Sequence, residues 1–368
     1  MSNSTEIKAK PNVIPQLDGL RAFAALLVVF SHTEKVGLPT VFPSLTGGFG
    51  VMLFFMLSGF LMGYLYLQKP IDRPAIGHYI SARVARIAPI YLLSVTLAYI
   101  ASHLIGTQFI YYIDTRSFLR LLAFSGSNHV FWSIPPEIQF YFTFLVFWYL
   151  LQTDRIIKAL PFVILTAGVI LMVRPIFPGI SIPSHFHIFF LGVALSVLVR
   201  NGTTSRISPS FAALVQVISL AALFSASLRI YPSKAFIASI DWDDNAVFYG
   251  SVGAVICFGA FLLASTVHNR FGALVFANPF MRQIAKYSFS LYLLHEPVMA
   301  GTMNVLDEFG ISRFVQIPIA VTLSLGVAAL SFHLFESKMQ DLLRVPLARL
   351  ISALMPKARN TLAVKKHL

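Results

Sequence analysis

Charge is what this 368-residue chain has least of. Only 12% of its residues are Asp, Glu, Lys or Arg, about half the roughly 25% of a soluble globular domain. So small a supply cannot cover a water-soluble fold, and an apolar share of 57% excludes disorder. Cysteine is nearly absent as well. The single Cys257 excludes an internal disulfide and a metal site built on thiolates. Acidic residues number 15 against 28 Lys and Arg, which leaves +13 at neutral pH. A nucleic-acid-binding protein with that excess would carry charge throughout, and this chain does not.

What the chain does have is long apolar runs and 34 phenylalanines. Runs of about 20 apolar residues each cross a bilayer core of roughly 30 Å, so the expected fold is an all-α, polytopic bundle of membrane helices. Ten spans are expected, at about 16–33, 47–67, 80–105, 130–151, 160–177, 184–199, 210–228, 246–267, 287–306 and 314–335. The first carries Asp18, Arg21 and His32 and no small-residue cleavage pattern, so it reads as a retained span rather than a leader. Short links with Pro and Gly join the spans, and no repeat or second domain stands out. The expected organisation is a membrane domain over 1–340 and a basic cytoplasmic tail over 341–368.

Placing the N-terminus in the cytoplasm puts 21 of the 28 Lys and Arg on that side, so the bias favours both termini inside. Acidic residues assigned by the same topology leave about +15 on the cytoplasmic face and no net charge outside, with Glu137 and Glu296 in the membrane. The outer links 106–129 and 229–245 carry aromatic and acidic residues that could meet a sugar-like acceptor or could be ordinary solvated loops.

An ionisable group inside a span needs a partner, a wet cavity or a function. Arg21 and His32 are eleven residues apart, three helical turns and about 16 Å of rise, so they share one helix face. A lone membrane histidine can also do no more than bond a nearby carbonyl. In the second span, Gly47, Gly50 and Gly59 suit close helix approach, and Ser58 is a candidate for hydrogen bonding in a cavity. Arg83 and Arg86, at i and i+3, can grip a phosphate together or snorkel to the interface. The fourth span opens Trp132-Ser133-Ile134-Pro135-Pro136-Glu137. The prolines fix a helix start, and Glu137 in the first turn is either a cap or a functional carboxylate. In the ninth span Ser288, Ser290, Tyr292, His295 and Glu296 precede Pro297, where His295 could bond a freed carbonyl or line a cavity. His185 and His187, at i and i+2, point apart on a helix and read as interfacial, so no metal site is expected.

In this order the motifs resemble the membrane-bound acyltransferase 3 family over nearly the whole chain. Arg21 and His32 match its Arg/Lys-x10-His signature, and Phe54-Phe55-Met56-Leu57-Ser58-Gly59-Phe60 its second-span signature. Arg83-x-x-Arg86 is similar to its Arg-x-x-Arg motif, Trp132-Ser133-x-x-x-Glu137-x-x-Phe140-Tyr141 to its fourth-span segment, and Ser290-x-Tyr292-Leu293-x-His295-x-Pro297 to its late stretch. Pro135 and Pro136 depart from the commoner residues before the glutamate. With about 33 residues after the tenth span, the chain resembles the stand-alone members.

That resemblance implies transfer of an acyl group, usually acetyl, from cytoplasmic acyl-CoA to a hydroxyl of a carbohydrate or another acceptor, in a bacterial inner membrane and with no bound cofactor. His32 is the implied base or acyl acceptor, with Glu137 as a carboxylate that could orient its ring. Arg21, Arg83 and Arg86 are a plausible dock for the phosphates of acyl-CoA by charge-assisted hydrogen bonds. Ser58, Trp132, Ser133, Tyr141, Tyr292 and His295 complete the expected substrate site. The expected partners are membrane lipids, acyl-CoA and a carbohydrate acceptor, and no nucleic acid. The residues alone also admit acylation of a lipid or secondary metabolite, or a transporter or flippase whose charges line a path.

Overall fold

The computed structural model describes residues 14–39, 41–42, 45–152, 180–227, 249 and 251–355. The expected span at 160–177 and the acidic link 229–245 lie outside the described residues, as do residues 1–13 and 356–368. Among the described residues every regular element is helical.

Helix α1 (Pro15–Ser31) starts on a proline, whose fixed φ suits a first turn and whose missing N–H falls where no partner exists. It packs on α2 (Leu45–Tyr66), which packs in turn on α6 (Ile182–Arg200). The contact between α2 and α6 is backbone to backbone. A Cβ on Gly59 would collide with the Phe189 carbonyl, and one on Gly192 with the Met56 carbonyl. Reciprocal glycines therefore set this approach, the close-packing role expected of Gly59.

Helix α3 (Arg73–Ile105) starts at Arg73 rather than near 80, because Asp72 caps it by accepting from the Ala75 amide at 2.7 Å. Its 33 residues span roughly 50 Å, more than the bilayer core. Helices α4 (Thr115–Leu122) and α5 (Ile134–Gln152) follow, with α5 opening on the two prolines as the sequence predicts. After α6 come α7 (Pro209–Ser227), α8 (Val252–Ala264) and the short α9 (Arg270–Val275) and α10 (Pro279–Lys286).

Helix α11 (Ser288–Glu308) pairs with α12 (Arg313–Ser331). Helix α12 does not stop near 335. It runs through a π turn at Phe332–Glu336 into α13 (Ser337–Leu354), which packs along α3 and joins it where Ser352 Oγ donates to the Arg73 carbonyl at 3.2 Å. Residues 341–354, expected as the start of a tail, thus belong to a packed helix.

Among the described residues four helical stretches, Thr46–Tyr66, Arg73–Gln108, Ile182–Arg200 and Arg313–Leu354, are long and apolar enough to cross a membrane. Helices α7 and α8 are apolar but shorter. Large apolar side chains such as Leu104, Ile218, Ile256, Phe314 and Leu330 face outward, which suits a lipid solvent and not water. Inside, Phe49, Phe55, Tyr79, Tyr91, Phe140, Phe144, Trp148 and Phe189 fill the space between α2, α3, α5 and α6.

Candidate active site

The polar residues of the spans assemble into two groups at different depths along α1. The first group lines a cleft between α1, α2, α3, α5 and α11. Arg21, Ser58, Arg83, Arg86, Ser133, Glu137, Tyr141 and Tyr292 all face it, so the structure brings together eight of the eleven residues singled out from the sequence. Glu137, in the first turn of α5, accepts from Tyr141 OH at 2.5 Å and from Ser58 Oγ at 3.2 Å. Those two hydroxyls consume one carboxylate oxygen and hold it against the cleft wall. Arg83 lies over the Tyr66 ring at 5.9 Å. Among the described residues none of Arg21, Arg83 and Arg86 forms an ion pair. Three cations against the single carboxylate Glu137 leave the cleft with an excess of positive charge, which favours an anion.

The far end of the cleft is closed by Ser133 and Tyr292, whose hydroxyls lie 2.8 Å apart, with Tyr292 OH donating to the Val130 carbonyl at 2.9 Å. One helical turn further along α11 begins the second group. His295 and Glu296 are fully buried there, and His32, at the C-terminal end of α1, meets both. His32 Nδ1 lies 2.6 Å from Glu296 Oε1 and 2.9 Å from His295 Nε2. The two imidazoles stack with their centroids 5.1 Å apart. On the other side of the ring, Lys35 Nζ lies 3.1 Å from His32 Nε2 and 3.7 Å from Glu296 Oε1. His129 closes the group with Nδ1 3.4 Å from Glu296 Oε2, on a backbone held at φ +39°, in the left-handed region.

These distances fix where the protons sit. His295 Nδ1 faces only carbonyls, those of Tyr292 at 2.9 Å and Leu291 at 3.1 Å, so it carries a proton and its Nε2 is an acceptor. His32 Nδ1 faces that acceptor and a carboxylate, so it must donate. The lone pair of neutral His32 is therefore on Nε2, where the Lys35 ammonium donates to it. This is the arrangement of a base whose tautomer and orientation are set by a buried carboxylate. Burying an ionised carboxylate alone costs several kcal/mol, and Glu296 is stabilised here by three cationic or proton-donating neighbours.

Three expectations change. The pairing of Glu137 with His32 is not formed: Glu137 is engaged by Ser58 and Tyr141, and the carboxylate on His32 is Glu296. His295 does bond carbonyls, but not the one that Pro297 frees. A proline at 297 removes the amide that would reach Leu293, whereas His295 reaches Leu291 and Tyr292. Trp132 stands outside the cleft lining and packs on Phe55, His185 and Tyr249. Glu296 was visible in the sequence as a carboxylate inside a span and next to His295. Lys35 and His129 had no such signal, since both lie in polar links.

His32, His295 and Glu296 also bring three possible metal ligands within 4.8 Å of one another. Separations of 2.6 and 2.9 Å are those of atoms sharing a proton, shorter than the ~3.3 Å between ligands spread tetrahedrally around zinc. His185 and His187 diverge: the first lies among aromatic rings, and the second donates from Nε2 to the Tyr249 carbonyl at 2.6 Å.

Two proteins of Staphylococcus aureus, strains COL and MSSA476, provisionally named as O-acetyltransferases, are 26% identical to the chain over 364 residues, covering 89% of it. The O-acetyltransferase OatA of Staphylococcus aureus strain NCTC 8325 is 26% identical over 362 residues, again 89% of the chain. In each case the match takes up 57% of the relative's own length. No solved structure matches the chain significantly. The profile of a family described as an acyltransferase domain matches residues 14–333, from the start of α1 through α12, and the chain belongs to that acyltransferase family.

Proposed function

We propose that this protein transfers an acyl group, acetyl in the first instance, from acyl-CoA to a hydroxyl of a cell-envelope or secreted glycan, with His32 as the general base. The observation that carries this reading is the His32–Glu296 pair at 2.6 Å, which leaves the ring's lone pair on Nε2. The acceptor hydroxyl takes the place of the Lys35 ammonium at Nε2. Its oxygen attacks the thioester carbonyl while its proton passes to His32, and Glu296 steadies the resulting imidazolium. Collapse of the tetrahedral intermediate breaks the carbon–sulfur bond, and the departing CoA thiolate takes the proton back from His32.

The donor reading rests on the unpaired arginines of the cleft and on the polyanionic character of CoA. Arg21 sits about 16 Å before His32 along α1, so the phosphates and the reacting carbonyl occupy different depths. In this reading the arginine end faces the cytoplasm and the histidine end the outer side of a bacterial inner membrane. The glycan acceptor rests on the family resemblance, and the relatives' names support O-acetyl transfer.

Mass spectrometry of envelope glycans and small metabolites, from cells with and without the protein, identifies both acyl group and acceptor. The reading expects an ester-linked acetyl on a glycan that disappears with the protein and with His32→Ala, while the variant still inserts. Full acceptor acylation by His32→Ala would remove His32 as the base. An acylated lipid or metabolite in place of the glycan would change the acceptor, and acceptor movement without acylation would favour a flippase.

A further inference from the structure

The cleft and the histidine group meet at one aromatic ring. Tyr292 lines the cleft, whereas none of the described residues of the histidine group does. On the cleft side the Tyr292 ring stands edge-on to Phe54, with centroids 6.1 Å apart and planes at 74°, and on the other side it lies 6.4 Å from the His295 ring. His295 Nε2 is in turn 2.9 Å from His32. The partition between the cleft and the base is therefore about one side chain thick. It is also fastened: Tyr292 OH donates to the Val130 carbonyl at 2.9 Å and lies 2.8 Å from Ser133 Oγ, so the turn before α5 holds the ring by its far end. Behind the ring, Leu291, Leu293, His295 and Glu296 are fully buried.

A thioester carbonyl that comes to His32 from the cleft has to pass Phe54 and Tyr292, and its acyl tail then lies among these packed side chains. A methyl group asks for a small displacement of one ring. Each further methylene has to push aside neighbours that are themselves held in place, and a close-packed interior resists added volume. We propose that Phe54 and Tyr292 set the length of the acyl group that is transferred, admitting short groups such as acetyl or propionyl and excluding longer chains, with Ser133 and the Val130 carbonyl keeping the Tyr292 ring across the passage. This rests on the donor reading above and deepens it, since it assigns the choice of acyl group to two side chains. Phe54 comes from α2 and Tyr292 from α11, so the selecting element is a contact between helices and not a single motif.

The full-length protein is placed in phosphatidylcholine nanodiscs, and release of the CoA thiol is followed with acetyl-, butyryl- and hexanoyl-CoA, using methyl glucoside as the hydroxyl probe. For wild type, kcat/KM is expected to fall by about tenfold or more from acetyl to hexanoyl. Phe54→Ala opens the cleft side of the partition and is expected to raise the hexanoyl-to-acetyl ratio by about tenfold or more. Tyr292→Phe keeps the ring but releases it from Val130 and Ser133, and is expected to raise the same ratio by a smaller factor. Free CoA carries no acyl group, so it should inhibit wild type and Phe54→Ala equally. If Phe54→Ala loses that inhibition its cleft has collapsed, and the Tyr292→Phe ratio alone decides. Hexanoyl-CoA used by wild type as readily as acetyl-CoA, or a ratio unchanged in the variants, would overturn the proposal and leave the donor reading standing. No thiol release by wild type from any of the three thioesters would overturn the donor reading, and the proposal with it.

Discussion

The two polar groups of the membrane domain are built on opposite principles. In the cleft, Arg21, Arg83 and Arg86 face a common space and pair with no described carboxylate, while Glu137 is occupied by two hydroxyls. In the histidine group the charges face one another: Glu296 lies against His32, His129 and Lys35, and His32 against His295. A set of like charges left without partners is poised to take up an opposite charge from outside. A closed network holds one atom, Nε2 of His32, in a defined state. The first arrangement suits binding and the second suits chemistry.

Substitutions that exchange these roles would break the comparison. The largest effect is expected at the base itself: His32→Ala should lower acyl transfer by about 10²–10⁴-fold in purified protein, with thermal stability and membrane insertion retained. Next is Glu296→Gln, which keeps the shape but removes the charge that orients His32 and steadies its imidazolium. A loss of about 10²-fold in kcat is expected, with a smaller change in donor affinity. Glu137→Gln, in contrast, should keep the bonds from Ser58 and Tyr141 and slow turnover far less than Glu296→Gln. A loss as large as that of Glu296→Gln would mean that the two carboxylates have been assigned the wrong way round.

Arg83→Gln and Arg86→Gln should each weaken acyl-CoA binding by about tenfold, read as a rise in KM over wild type that narrows as salt is added, with a lesser effect on kcat. The smallest functional effect is expected for Lys35→Gln, since this side chain is half exposed and gives up its place at Nε2 to the acceptor. A several-fold fall in rate is expected there, and no loss of fold.

Much of this division was legible in the sequence because the bilayer makes polar residues conspicuous. Arg21, His32, Arg83, Arg86, Glu137 and Glu296 all interrupt apolar runs, and helical spacing put Arg21 and His32 on one face of α1. The sequence could not say which carboxylate meets the histidine. Glu137 and Glu296 are both intramembrane glutamates beside prolines, and the choice depends on α11 lying against α1, a long-range contact that no local pattern encodes. Lys35 and His129 were hidden for a different reason: in a polar link a Lys or His is unremarkable, and only the fold turns it toward Glu296. The helix boundaries at Arg73 and Leu354 departed from expectation because caps and helix packing, not hydropathy, set them.

The central claim is that Glu296 acts through His32, and a double-mutant cycle on the acyl-transfer rate addresses it most directly. Wild type, Glu296→Gln, His32→Ala and the double variant are compared with the same donor and acceptor. Two residues acting as one unit are strongly non-additive. The predicted result is that Glu296→Gln slows the wild-type enzyme by about 10²-fold yet leaves the residual rate of His32→Ala nearly unchanged. An equal fold-loss in both backgrounds would show that Glu296 acts independently of His32, and would contradict the account.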